Sequence, residues 1–258
     1  MESTATDQPP RYGRKRADWD AARAKLSPEA REQLRARMLA AIPSWYSPTA
    51  HMLGPSLLGI TLVTLAVVFF VHDLRAWQFS AIPFLFVLSN AVEWRAHKHA
   101  LHRRTPGLEP LYDRHTPIHH RLYITNDMAV RDRREYRIVL MPAFAILVVA
   151  GTQIPIVALL ALLAGRNFAV IAFATSMGYV VLYEWLHLAY HMAPDSWIGR
   201  RKLIQVLRRH HATHHAPELM QKWNMNVSIP LWDWVRRTTY RGDESTFTES
   251  ATTSSTTH

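Results

Sequence analysis

Twelve of the fifteen histidines in this chain fall in two short stretches, six between His97 and His120 and six between His187 and His215. Only His51, His72 and His258 lie elsewhere, and for those three surface or interface polarity is the simpler reading. The first stretch reads Glu93-Trp94-Arg95-Ala96-His97-Lys98-His99-Ala100-Leu101-His102 and then His115-Thr116-Pro117-Ile118-His119-His120. The second reads Tyr183-Glu184-Trp185-Leu186-His187-Leu188-Ala189-Tyr190-His191, followed by His210-His211-Ala212-Thr213-His214-His215. A neutral imidazole offers one lone pair to a metal and one N–H to an acceptor behind it. His187 and His191 are four apart, so on a helix they share a face and can bind one metal or flank two. His214 and His215 stand at i+3 and i+4 from His211 and converge on the same side. Glu93, one turn before His97, and Glu184, one turn before His187, are placed to hold a ligand in its tautomer. One metal uses about four to six ligands, so ten or more histidines imply two metals.

Such a site needs rigid elements to bring four segments together, and the sequence supplies long apolar ones. Met52–Val71 is twenty residues without a charge, enough for the roughly 30 Å hydrocarbon core at about 1.5 Å per residue. Ala76–Val92 follows after His72-Asp73-Leu74-Arg75 and reads as the second arm of a helical hairpin. Val139–Ala164 is a third block, with Gly151 and Pro155 marking an expected kink or break, and two short re-entrant helices, Val139–Ala150 and Pro155–Ala164, are the variant reading. Phe168–Leu182 is a fourth, after the tight Gly165-Arg166-Asn167 turn, and runs helically into the second histidine stretch. Basic residues decide the layout: nine Lys/Arg in 1–50, ten in 93–137 and nine in 191–258, against one in each hairpin turn, Arg75 and Arg166. By the positive-inside rule the three polar segments are cytoplasmic, which puts both termini and both histidine clusters on one face.

Ser27-Pro28-Glu29 is a helix start, with a capping serine, proline at the first position and an acid in the first turn. That helix runs to about Ile42 with Arg31, Arg35 and Arg37 opposing Leu34, Met38 and Leu39, a pattern for the membrane surface or for an ordinary solvated face. Residues 1–48 are therefore read as a cytoplasmic tail with an amphipathic helix, 49–242 as the membrane domain, and the Ser/Thr-rich 243–258 as a disordered tail. The absence of cysteine excludes disulfides, thiolate zinc, iron–sulfur clusters and a thiol nucleophile. Thirty Lys+Arg against twenty Asp+Glu does not indicate nucleic acid, because the basic residues flank apolar spans and form no recognition helix. The excess of Arg over Lys and the abundance of Ala point to a GC-rich bacterial genome, hence to a bacterial inner membrane.

Taken together, H-x4-H, H-x3-HH, H-x3-H and H-x2-HH, in this order around two membrane hairpins, resemble the fatty acid hydroxylase/sterol desaturase superfamily over roughly residues 50–240. The segment Asn224-Met225-Asn226-Val227-Ser228-Ile229-Pro230-Leu231-Trp232-Asp233 is similar to that family's ending. The resemblance implies an all-α integral membrane protein, four transmembrane helices in two hairpins with a cytoplasmic helical cap around a dinuclear site. Its ligands would be His97, His102, His115, His119, His120, His187, His191, His211, His214 and His215, with Glu93, Glu184, Asn224 and Asp233 behind them. His99 and His210 would be neighbours only. Helix geometry disagrees at one point: on an unbroken α-helix His99 pairs with His102 better than His97 does, and Pro117 breaks any helix between His115 and His119. Where the family usually closes with an aromatic-Gly-Thr turn, this chain has Trp234-Val235-Arg236-Arg237-Thr238.

The implied chemistry is that of a non-haem di-iron centre with dioxygen as co-substrate, which hydroxylates a C–H of an acyl-chain lipid. A sterol-type methyl oxidase or a desaturase is the alternative on the same scaffold, and zinc can replace iron on purification. No haem, flavin or nicotinamide motif is present, so electrons are expected from a separate protein, an acidic ferredoxin or cytochrome b5 type suited to the basic face. A metal transporter would place ionisable ligands near the bilayer midplane, whereas these cluster at one end of the spans. A membrane b-type cytochrome would use single histidines on facing helices.

Overall fold

The structure, a computed structural model, describes residues 24–242. The predicted amphipathic helix is α1, Pro28–Ala40, with Ser27 Oγ accepting the Ala30 amide at 3.2 Å. The long apolar helices are α2 (Pro48–Phe70), α3 (Ala81–Ala96), α5 (Ala145–Ala164) and α6 (Arg166–Tyr190). Between α3 and α5 lies the short α4 (Glu109–Arg114), and after α6 come α7 (Lys202–His214) and α8 (Leu231–Arg236). Among the described residues the only β pairing is an isolated bridge between Ile124 and Asp127.

Three helices, α2, α5 and α6, are long and apolar enough to cross a membrane. The expected second span is shorter than read: Ala76–Ser80 is a 3₁₀ turn, and α3 proper has 16 residues. The third differs more. Pro155 and Gly151 sit inside an uninterrupted α5, which sets aside the break and the pair of re-entrant helices. The break comes earlier, at Leu140–Phe144, after a short helix Tyr136–Val139. Two side chains hold it open: Glu184 accepts the Met141 amide at 3.1 Å, and His51 Nε2 donates to the Met141 carbonyl at 2.8 Å. His51 is thus a buried histidine with Tyr46 on its other nitrogen, whereas His72 is exposed and His258 lies outside the described residues, as does the tail 243–258.

Helix α6 is the hub, with α2, α3 and α5 each packed along it. Outward faces stay apolar: Ile60, Phe69, Ile154 and Leu162 are all exposed, a surface suited to lipid rather than water. The turn between α5 and α6 is Gly165 alone, whose φ of +84° is accessible to glycine at little cost. At that same end Asn167 clamps the two hairpins. Its Nδ2 donates to the His72 carbonyl at 2.5 Å and its Oδ1 accepts the His72 amide at 3.1 Å.

The apolar side of the amphipathic helix is covered by the protein itself, while Glu32, Gln33 and Arg37 on its other side stay exposed. Leu34 and Met38 pack on a core of Leu122, Tyr123, Met128, Tyr136 and Leu188, and Arg35 is buried against Glu135. Burial of that apolar face on the polar lobe stabilises a helix which, at 13 residues, would be marginal alone.

Candidate metal centre

All ten histidines named above as candidate ligands are buried, the most exposed being His115 at 8%. They gather in two groups. One holds His97, His102, His115, His120 and His214; the other holds His119, His191, His211 and His215. His187 sits at the edge of the second group, its Nε2 3.3 Å from that of His119. The pairs split in a way that spacing on one helix face does not suggest. His214 joins the first group while His211 and His215 join the second, and the adjacent His119 and His120 point to different groups.

The conflict over His97 and His99 is resolved by a change of helix type. After α3 the backbone makes a π turn, His97–Leu101, closed by the His102 amide on the His97 carbonyl at 3.1 Å. With a bond to the fifth residue back, i and i+5 share a face, so His97 meets His102 and His99 turns away to a half-exposed position. The same device recurs at His115–His119, where Pro117 lies within a second π turn instead of breaking the helix, and His115 meets His120. His210 likewise stays outside, bonded to Asp233 at 3.1 Å.

Imidazole orientation comes from backbone carbonyls, and here the expected roles of the carboxylates need correction. His97 Nδ1 donates to Met225 O at 2.5 Å, His214 to Trp223 O at 2.9 Å, His191 to Met128 O at 2.8 Å and His215 to Tyr123 O at 2.6 Å. A carbonyl can only accept, so each Nδ1 carries the proton and each Nε2 presents a lone pair. Glu93 touches no histidine; it accepts from the Val227 and Ser228 amides, the Ser228 hydroxyl and the Tyr179 hydroxyl. Glu184 is spent on Met141. Asp233 acts at one remove, taking the Met225 amide at 3.0 Å, the Asn226 amide at 2.8 Å and the indole N–H of Trp94 at 3.1 Å, so it fixes the loop whose carbonyl holds His97. Asn224, at φ +54°, ties that loop to the His210 carbonyl and to Tyr240.

The closing turn departs from the family pattern without losing its bonds. Thr238 donates to Asp233 Oδ1 at 2.6 Å, and Arg237 takes the left-handed φ of +55°.

The donor set fits cations. His102 Nε2 stands 3.1 Å from His97 Nε2 and 2.9 Å from His214 Nε2, although both of those carry lone pairs. His102 can donate a single proton, so hydrogen bonding cannot satisfy the cluster. A metal at about 2.1 Å from nitrogens at right angles spaces them by about 3.0 Å, which matches. In the second group His191 Nε2 is buried with no partner at all. Burial also pushes the imidazoles toward their neutral, metal-binding form: His97 is lowered to about 4 and His215 to about 3, with desolvation the main cause in both.

A family model described as "Fatty acid hydroxylase" matches residues 82–238, more than half of the chain and the span that contains every one of these histidines. No curated protein and no solved structure matches.

Proposed function

Because the chain belongs to the fatty acid hydroxylase family, an oxygenase family, we propose that it hydroxylates an acyl-chain lipid in the membrane with two histidine-held irons. The observation that carries this reading is the pair of buried imidazole groups with converging Nε2 atoms, set at the ends of apolar helices. The first group would take one iron through His97, His102, His115, His120 and His214, the second through His119, His187, His191, His211 and His215. Bound there, the metals supply dioxygen activation. The balance is one C–H and O2, with two electrons and two protons, giving an alcohol and water.

The residues of the chain bind, orient and exclude water. Neutral nitrogen donors leave each metal's charge uncancelled, and the carbonyls of Met225, Trp223, Met128 and Tyr123 spread part of it into the backbone. The substrate chain would lie against the apolar helices, its reacting carbon rising to the ends of α3 and α6.

We further propose four spans, with Ala76–Ala96 as the second arm of the first hairpin and the histidine lobe and both termini cytoplasmic at a bacterial inner membrane. The 28-to-2 division of basic residues supports this sidedness. Pro110→Cys and Gln205→Cys, in a chain with no native cysteine, should both label from the cytoplasmic side; labelling from opposite sides would sink the layout. Electrons would come from an acidic ferredoxin or cytochrome b5 type. The fitting face carries Lys98 and Arg236, stacked at 4.7 and 5.3 Å on Trp94, whose indole reaches His97 through Asp233 and Met225.

Lipid extracts from cells with and without the gene, compared by mass spectrometry, test the activity. Gain of one oxygen in an acyl lipid, absent with His191→Ala, is expected. Loss of two hydrogens would assign a desaturase, and an oxidised sterol methyl a methyl oxidase.

A further inference from the structure

The family match begins at residue 82, so α1 lies outside it, yet α1 reaches the second histidine group through continuous contacts. The route runs along the loop 123–135. Tyr123 O accepts from His215 Nδ1, Met128 O from His191 Nδ1, and the Val130 amide donates to the His191 carbonyl at 2.8 Å. The Tyr123 ring packs on His119 and His191 with centroids 5.2 and 4.6 Å away. The group leans on this loop heavily, because Nδ1 of His119 and of His211 has no hydrogen-bond partner.

Glu135 closes the loop on itself: Oε2 accepts the Tyr123 hydroxyl at 2.8 Å and Oε1 the Arg131 amide at 3.4 Å. From α1, Arg35 meets the same Glu135 Oε2 at 2.5 Å, with both side chains buried. Two further ion pairs align with it, Arg31 on Asp127 at 3.2 Å and Glu32 on Arg131 at 2.7 Å. Three consecutive-face positions of α1 thus meet three acids and bases of one loop, and nothing comparable links α1 to the 223–228 loop that serves the first group.

We infer that α1 is a positioning element for the second metal alone, with Arg35 and Glu135 setting Tyr123 and, through it, His215 and His191. This rests on the reading of the two groups as metal sites. In the chain without Arg35, Glu135 loses its cation, Tyr123 loses the fixed position of its acceptor, and the second group loses the firm hold on the two imidazoles that the loop carbonyls orient, His191 and His215.

Cobalt(II) titration of the full-length, detergent-purified, chelator-stripped protein, followed by metal analysis and visible absorption, tests it. Wild type should bind two ions. Arg35→Met should keep one at wild-type affinity and weaken the other by about tenfold or more, the scale seen when groups behind metal ligands are removed. The retained ion should vanish with His102→Ala added and survive His191→Ala. Arg35→Lys, which restores a cation on Glu135, should recover most of the loss. Tyr123→Phe, which keeps the ring and the carbonyl, covers the case of Arg35→Met failing to fold, and should weaken the same ion less. Two undiminished ions in both variants, or equal weakening of both ions, overturns the inference; the latter is what simple destabilisation gives. A wild type binding fewer than two overturns the dinuclear reading and this inference with it. A wild type with two ions and no lipid product overturns only the hydroxylase reading.

Discussion

In the first histidine group the orienting carbonyls belong to the 223–228 loop, and that loop is fixed by Asp233 and Glu93, which accept only from N–H and O–H groups of residues 90–240. In the second group they belong to the 123–135 loop, fixed by Glu135, whose cation comes from α1 a hundred residues away. The chemistry asked of both loops is the same, a buried carboxylate gathering backbone amides so that carbonyls face imidazoles. The difference is the counter-charge. Glu93 is satisfied by four donors from neutral groups, whereas Glu135 has an arginine, so the second half alone depends on an element outside the family match. Removing one member of a buried ion pair commonly costs about 3–5 kcal/mol, more than losing one neutral hydrogen bond.

The sharpest break of this comparison is at the ligands. His102→Ala and His191→Ala should each abolish product, and each should drop bound metal from two to one, with the surviving ion in the opposite half. Metal analysis of the two variants decides; loss of both ions in either would mean that the halves form one cooperative unit. His99→Ala, at a half-exposed position beyond the π turn, should keep both ions and its activity.

A smaller effect is expected at Asp233. Asp233→Ala strands the Met225 and Asn226 amides, so metal in the first half should weaken by about 10–100-fold while the second half holds. Competition with a chelator of known affinity measures it.

Acid should act on both halves together. His97 and His215 titrate near 4 and 3 when folded, against about 6.5 unfolded. Above pH 6.5 both states are neutral and the contribution to stability is complete. As pH falls from 6.5 toward 4 only the unfolded chain takes up protons, so stability drops across that window and levels off below the folded values. The melting temperature of the metal-free protein should therefore fall from pH 7 to pH 5. A rise would mean that the imidazoles are not held neutral.

The smallest expected change has the opposite sign. Arg237 holds a left-handed backbone that glycine adopts freely, so Arg237→Gly should stabilise by about 1 kcal/mol or less, read as a modest rise in melting temperature.

Much of this was legible in residue order, because twenty uncharged apolar residues and clustered histidines leave few physical alternatives. The ten histidines that the family resemblance implied as ligands lie buried together, nine in the two groups and His187 at the edge of the second. The helix type beneath them was not legible: α periodicity favoured His99 over His97, since nothing in His97–Leu101 announces a bond to the fifth residue back. The partners of the imidazoles were hidden for a different reason. Every residue has a carbonyl, so sequence cannot say which one faces Nδ1, and the nearby Glu93 and Glu184 drew the assignment instead. Arg35 was hidden because its pattern on α1 matches a solvated face, and its partner Glu135 is too distant in sequence to pair by eye.

Each π turn can also be regarded as one inserted residue in an otherwise α-helical frame. Deleting a single residue from His97–Leu101 would restore α geometry and rotate everything on its N-terminal side by about 100° relative to the site, changing which side of α3 packs on α6. Exchanging Lys98 or His99 for another side chain leaves that frame intact. Inherited variation in this stretch should therefore consist of substitutions, with its length held constant.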